Sequence, residues 1–318
     1  MKEIFSRVLV VLLLSTGLAL IHHYPANLEI ALAAESNQDL QPLITTSELI
    51  VGENRFAFGP IKANKLLENA DVQLRIYSID VPEPLLVAEN NALYHRVGIA
   101  ESGERVHRHA DGTTHLHRAS SDVRGLYLTR LTFMRPGPWG IELQARDDKG
   151  SLGTARITVT VADKPQTPTL GSLAPRSRNL VASDVRDLRQ IDTSQKPDPR
   201  LHQVRIADAI AERKPQLIVF ATPQFCTTRM CGPVLDVVRQ LLPEYSKQVA
   251  FIHQEIWQDF ASKKVFSTVE EWRLESEPWI FVVDGRGIIR AKFEGLVTVR
   301  ELELALQQTL QSNASRLQ

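Results

Sequence analysis

The hydrophobic period of the chain changes partway along, and that change constrains the fold more than any single motif. From Leu43 to about Asp163 short stretches alternate between apolar and polar residues: Leu49-Ile-Val, Arg55-Phe-Ala-Phe, Val72-Gln-Leu-Arg-Ile-Tyr, Gly125-Leu-Tyr-Leu-Thr-Arg-Leu-Thr-Phe, Gly140-Ile-Glu-Leu-Gln-Ala and Ala155-Arg-Ile-Thr-Val-Thr-Val. Period two sends every second side chain to one face, so each stretch reads as a half-buried strand. So many short strands, with turns at Pro136-Gly-Pro-Trp139-Gly and Asp147-Asp-Lys-Gly150, predict an all-β sandwich over residues 42–163.

From Leu201 the pattern becomes helix alternating with strand. Helices are expected at Val204 to Arg213, Gly232 to Tyr245 and Thr298 to Leu310, with Thr298 and Glu301 forming a capping box. Strands are expected at Leu217 to Ala221, Gln248 to His253, Trp279 to Val283 and Ile288 to Phe293, the last two joined by Asp284-Gly-Arg-Gly287. The predicted molecule is therefore multidomain, an N-terminal all-β sandwich plus a C-terminal α/β domain over residues 201–312. At 318 residues the chain is long enough for both. Between them, residues 164–200 carry Pro165, Pro168, Pro175, Pro197 and Pro199 and read as a linker, part of it draped over a neighbour.

Residues 1–34 read as an export signal: Lys2 and Arg7 flank an apolar run from Val8 to Ile21, and Ala31-Leu-Ala33-Ala34 offers a cleavage site. An uncleaved membrane anchor is the alternative. Either way the body of the protein is expected outside the cytoplasm, in the periplasm, cell envelope or medium, where a cysteine pair can persist as a disulfide. Lys plus Arg and Asp plus Glu both number 37, so no global field favours nucleic acid. There is no glycine-rich phosphate loop and no Gly-x-Ser-x-Gly elbow.

The chain's two cysteines lie in Phe220-Ala-Thr-Pro-Gln-Phe-Cys226-Thr-Thr-Arg-Met-Cys231-Gly-Pro. This stretch resembles the strand-end approach to the active site of thioredoxin-like proteins, and Glu277-Pro278-Trp-Ile-Phe-Val-Val-Asp resembles their cis-proline strand. Asp284-Gly-Arg-Gly-Ile-Ile-Arg-Ala-Lys-Phe-Glu-Gly295 is similar to the hairpin of the extracytoplasmic thioredoxin-like proteins and of the Sco-type copper chaperones. The resemblance covers about Leu201 to Leu310. It implies thiol-disulfide exchange, a cis bond at Pro278 with the backbone of Glu277 against the dithiol, and no cofactor required for the exchange. The N-terminal strands and the Pro-Gly-Pro-Trp-Gly turn resemble small immunoglobulin-like domains of secreted bacterial proteins, some of which handle copper.

The motif departs from the common Cys-x2-Cys and the Sco-type Cys-x3-Cys, since four residues separate Cys226 from Cys231. Residues five apart in one regular helix have Cα atoms roughly 8 to 9 Å apart, beyond the roughly 7 Å a disulfide spans. Cys226 is therefore expected in the loop or at the helix cap, as the attacking thiol, with Cys231 resolving. A purely structural bridge is the plain alternative.

Two histidine features complete the candidates. His253 ends a strand expected to run parallel to the one leading to Cys226, so it either joins the two thiols as a copper ligand or simply ends a strand. The Sco-type histidine lies elsewhere in the chain and does not map onto it. In Arg105-Val-His107-Arg-His109-Ala-Asp-Gly-Thr-Thr-His115-Leu-His117 each His-x-His places two imidazoles on one strand face, and Asp111-Gly112 is a hairpin signal. With His95 upstream, the quartet forms a copper or zinc site or a solvated polar hairpin. The leading expectation is an exported thiol-disulfide oxidoreductase acting on envelope proteins with thiols or disulfides. Its rivals are a copper chaperone exchanging metal with copper-site proteins and a non-enzymatic envelope module.

Overall fold

Alternation is the rule that builds the N-terminal half. In a computed structural model of the chain, residues 40–97, 105–108, 114–117, 125–226 and 230–314 are described, the second and third segments as backbone alone. The export-signal stretch lies outside them. Strands run β1 (Leu40–Ile44), β2 (Gly52–Lys62), β3 (Lys65–Leu66), β4 (Asp71–Ser78), β5 (Leu85–Arg96), β6 (Arg105–Arg108), β7 (Thr114–His117), β8 (Gly125–Phe133), β9 (Gly137–Arg146) and β10 (Leu152–Val161). Val72, Leu74 and Ile76 of β4 point inward with Trp139, Ile141, Leu143 and Ala145 of β9. They meet Phe56, Phe58, Leu131 and Phe133 in one core.

The expected two-layer sandwich differs from the observed sheet. Eight strands hydrogen-bond in the order β1-β2-β8-β5-β4-β9-β10, with β3 on β2. Strand β5 is the physical reason. Its first part, Leu85 to Ala92, pairs with β4, while Leu93 to Arg96 pairs with β8, so one long strand turns the corner between layers. The sheet curls far enough that a Cβ added at Gly153 of β10 would touch Leu40 of β1. The Tyr127 hydroxyl ties a corner, accepting from Ala70 N–H at 2.7 Å and donating to Leu67 O at 2.9 Å.

Beyond Val161 come three short 3-10 turns, at Ala182–Asp184, Leu188–Gln190 and Pro199–Leu201, then α1 (Ile206–Ala211), β11 (Gln216–Phe220), α2 (Cys231–Tyr245) and β12 (Ala250–Gln254). A small hairpin, β13 (Trp257–Asp259) with β14 (Lys264–Val265), leads to α3 (Ser267–Glu271), β15 (Trp279–Val283), β16 (Ile289–Glu294) and α4 (Val299–Ala314). Four strands form a sheet ordered β12-β11-β15-β16, parallel between β11 and β12 and antiparallel elsewhere. Strands β11, β12 and β15 are buried along their whole length, as uninterrupted apolar strands are when both sheet faces are covered. Helices α2 and α4 cover one face; α1, α3 and Ala174 cover the other.

The halves share a core. Ala57, Val97 and Leu126 of the N-terminal half pack in the same cluster as α2 and α4, and residues 36–318 make one compact unit. Arg55 forks onto Glu301 at 2.7 and 3.2 Å and reaches Leu296 O at 2.7 Å. The Glu301 carboxyl also accepts from Thr298 N–H at 3.0 Å, while Glu301 N–H donates to Thr298 Oγ1 at 3.1 Å, completing the expected capping box. The proline-rich stretch is no free tether: Gly171 and Ala174 donate to Ile289 O and Gly287 O, and Val181, Ile191 and Asp192 are buried. Among the described residues no helix is long and apolar enough to cross a membrane.

Candidate functional site

Strand β11 ends at Phe220, a turn follows over Pro223 to Phe225, and α2 begins at Cys231. Cys226 therefore sits outside the helix, where the four-residue spacing requires it. The Cys231 backbone N–H, one of the four that an α-helix leaves unpaired at its start, donates to Cys226 Sγ at 3.4 Å. Cys226 is half-buried and Cys231 fully buried, and no disulfide joins them.

The third member is Glu277, which the sequence places next to Pro278. The Glu277–Pro278 bond is cis. A Glu277 carboxylate oxygen and the two sulfurs all lie within 4.8 Å of one another. Glu277 Oε2 is buried without a hydrogen-bond partner among the described residues. Burial pushes the Cys231 thiol up, and the neighbouring Cys226 and Glu277 push it further. Burial likewise pushes the Glu277 carboxyl up to about 8, with the Cys226 and Glu255 charges adding to it. Cys231 and Glu277 thus lie where burial opposes their anionic forms beside a second sulfur, an arrangement that a cation would relieve.

Aromatic side chains flank the site. Phe225 stacks on Phe260 with centroids 4.3 Å apart, and Trp257 meets Phe260 edge-on at 5.5 Å. The loop before Cys226 is fixed from the proline-rich segment. Thr193 Oγ1 accepts from Gln224 N–H at 3.2 Å and donates to Glu255 at 2.7 Å.

His253 lies on β12 opposite Val219, as the parallel pairing of β11 and β12 implies, but it serves a different cluster from the dithiol. Its Nε2 is 3.0 Å from Ala221 O, and its Nδ1 is 3.6 Å from Asp192 Oδ2. His202 Nε2 is 3.2 Å from the same oxygen, and all three side chains are buried. Burial lowers the pKa of both imidazoles; at His202 it prevails over the Asp192 hydrogen bond, whereas at His253 the nearby Asp192 carboxylate, the Glu255 charge and the Ala221 carbonyl outweigh it and raise the pKa. Asp192 and His202 went unread because both lie in or beside a stretch with a linker's composition; the two residues are ten apart and have no shared motif. The resemblance implies the Glu277 backbone beside the dithiol, but nothing in the sequence marks its carboxylate as a ligand.

The histidine hairpin forms as a backbone ladder. Strands β6 and β7 pair antiparallel with His107 opposite His115 and Arg105 opposite His117, which places His107, His115 and His117 on one face. His109 lies outside the described residues. His95 is in β5, opposite Leu126. The dithiol and Glu277 thus meet at one end of the four-stranded sheet, with His253 in a separate buried cluster.

No protein-family model matches the chain, and no curated protein matches it. Among solved structures, CopC from Methylosinus trichosporium OB3b is similar over 38% of this chain and 94% of that one, at 11% identity and a TM-score of 0.21. A likeness at that level assigns neither fold nor function.

Proposed function

We propose that this chain is an extracytoplasmic copper-binding protein in which Cys226 and Cys231, with the Glu277 carboxylate, hold Cu(I). The observation that carries the reading is the convergence of two sulfurs and one carboxylate within 4.8 Å at a buried strand end. Thiolates are soft ligands that select Cu(I), and a metal ion deprotonates a coordinating thiol outright. Burial and the neighbouring charges raise the pKa of Cys231 and Glu277 and so favour their protonated forms when no cation is bound. Binding then exchanges protons for the cation, as metal uptake by protonated ligands requires. Half-buried Cys226 is the sulfur that a partner's copper ligands meet first, and the partners are copper-site proteins of the envelope. Competition with a chromogenic Cu(I) chelator tests this: one equivalent should be withheld by the reduced protein and lost in Cys226→Ala. Equal retention by the Cys226→Ala, Cys231→Ala double variant overturns it.

A second reading is favoured by the Cys231 N–H donated to Cys226 Sγ, since such a donor at a helix start stabilises a thiolate. Together with the sheet order and Pro278, it supports a thioredoxin-like domain in thiol-disulfide exchange. Cys226 thiolate attacks a partner disulfide and expels one partner thiolate. Cys231 then loses its proton, attacks Cys226 Sγ and expels the other, leaving a Cys226–Cys231 disulfide and a reduced partner. A Cys231→Ser variant that accumulates mixed disulfides with envelope proteins would support this reading. For the hairpin, the facing His107 and His115, with His117 and His109, are proposed as a copper or zinc site independent of the dithiol.

A further inference from the structure

The buried cluster behind β11 poses a charge problem that its own atoms do not solve. A carbonyl oxygen only accepts, so the proton between His253 Nε2 and Ala221 O, 3.0 Å apart, belongs to His253. In the neutral ring Nδ1 then carries a lone pair. That lone pair faces Asp192 Oδ2 at 3.6 Å, longer than a hydrogen bond, and Nδ1 has no hydrogen-bond partner among the described residues. Two electron-rich atoms face each other away from water, so a cation is needed between them, either an added proton or a metal ion.

We infer that Asp192, His202 and His253 form a second metal site, distinct from the dithiol, for a divalent first-row transition ion, zinc foremost. Nitrogen and oxygen ligands lie about 2.0 to 2.2 Å from zinc, so neighbouring ligands of a tetrahedral site are about 3.3 to 3.6 Å apart. His202 Nε2 and His253 Nδ1 stand 3.2 and 3.6 Å from Asp192 Oδ2, and all three atoms lie within 4.8 Å of one another. The supporting contacts are also those of a ligand set. His253 donates its other ring nitrogen to a backbone carbonyl, the bond that fixes a metal-binding imidazole. Asp192 is held by Ser194 N–H at 2.9 Å, by the Ser194 hydroxyl and by Asp198 N–H at 3.2 Å. Two imidazoles and one carboxylate are borderline-to-hard donors, a different preference from that of paired thiolates. The ion would enter as the chain folds, because all three side chains are closed to solvent.

Cobalt(II) is the probe, present while the full chain carrying Cys226→Ser, Cys231→Ser, His107→Asn, His109→Asn, His115→Asn and His117→Asn is refolded from denaturant. We expect one equivalent to bind with the visible bands of a four-coordinate N/O site and to raise the melting temperature, and His202→Gln on this background to remove both. No visible bands in the parent multiple variant that keeps His202, with its far-ultraviolet dichroism as in the wild type, overturns the inference, because a proton then fills the gap. If the multiple variant does not fold, wild-type protein with alkylated thiols is refolded with cobalt(II) instead, with His202→Gln as its control. Stoichiometry unchanged by His202→Gln contradicts the site there. A sulfur-to-cobalt charge-transfer band reports only the dithiol, so each site can fail without the other.

Discussion

Cys231 donates its backbone N–H to the sulfur of Cys226 at 3.4 Å, so the two residues are joined across the helix start by something other than a disulfide. The bond leaves Cys226 as the half-buried thiol and Cys231 as the buried one, whose pKa burial pushes up. Since thiolate is the reactive form, iodoacetamide at neutral pH should label Cys226 faster than Cys231 by about tenfold or more. Peptide mass spectrometry over a time course measures this, and equal rates would contradict the assignment of roles.

Glu277 is expected to be a ligand rather than a bystander. Glu277→Gln keeps the shape and removes the anion, so Cu(I) affinity should fall by about 10- to 100-fold while one equivalent still binds at saturation. Chelator competition reads the affinity, and far-ultraviolet dichroism checks the fold. An unchanged affinity would place the copper on the sulfurs alone.

The Arg55–Glu301 contact joins the two halves and should be pH-sensitive. Burial raises the Glu301 pKa, but the hydrogen bonds and charge of Arg55 and the Thr298 bonds outweigh it, holding the carboxyl below its usual 4.5. A depressed folded-state pKa gives stability that is present above the unfolded-state value and is lost as pH falls through the folded-state value. Arg55→Met should therefore destabilise the protein by about 2 kcal/mol at pH 7, with the difference from wild type shrinking as pH drops below the carboxylate range. Urea denaturation at several pH values checks the sign.

Gly295 tests how closely the halves fit. Its φ is +71°, and a Cβ there would run into the carbonyl oxygen of Thr45 from the opposite half. Gly295→Ala should lower stability by about 2 kcal/mol or more, seen as a lower melting temperature.

Much of this architecture was legible because it is periodic. Val72, Leu74 and Ile76 alternate along β4, and Val234, Leu235, Val238, Leu241 and Leu242 line one face of α2, so sheet and helix followed from spacing alone. What stayed hidden depends on contacts between distant segments. That β5 joins two layers is set by where Leu93 changes partner, which no local pattern encodes. The proline-rich stretch looked like a tether because prolines and polar residues dominate it, yet its backbone pairs with β16 and its Asp192 enters the interior. His253 was visible as a histidine at a strand end, but its partners are Asp192, from that stretch, and His202, just beyond it, so its direction was not.

The most direct test of the copper reading is X-ray absorption at the copper edge on the reduced protein loaded with one equivalent of Cu(I). We expect two sulfur scatterers with a light oxygen or nitrogen neighbour, and loss of sulfur scattering in the Cys226→Ala, Cys231→Ala variant. Copper surrounded by nitrogen and oxygen alone, with both thiols still titratable, would contradict the account.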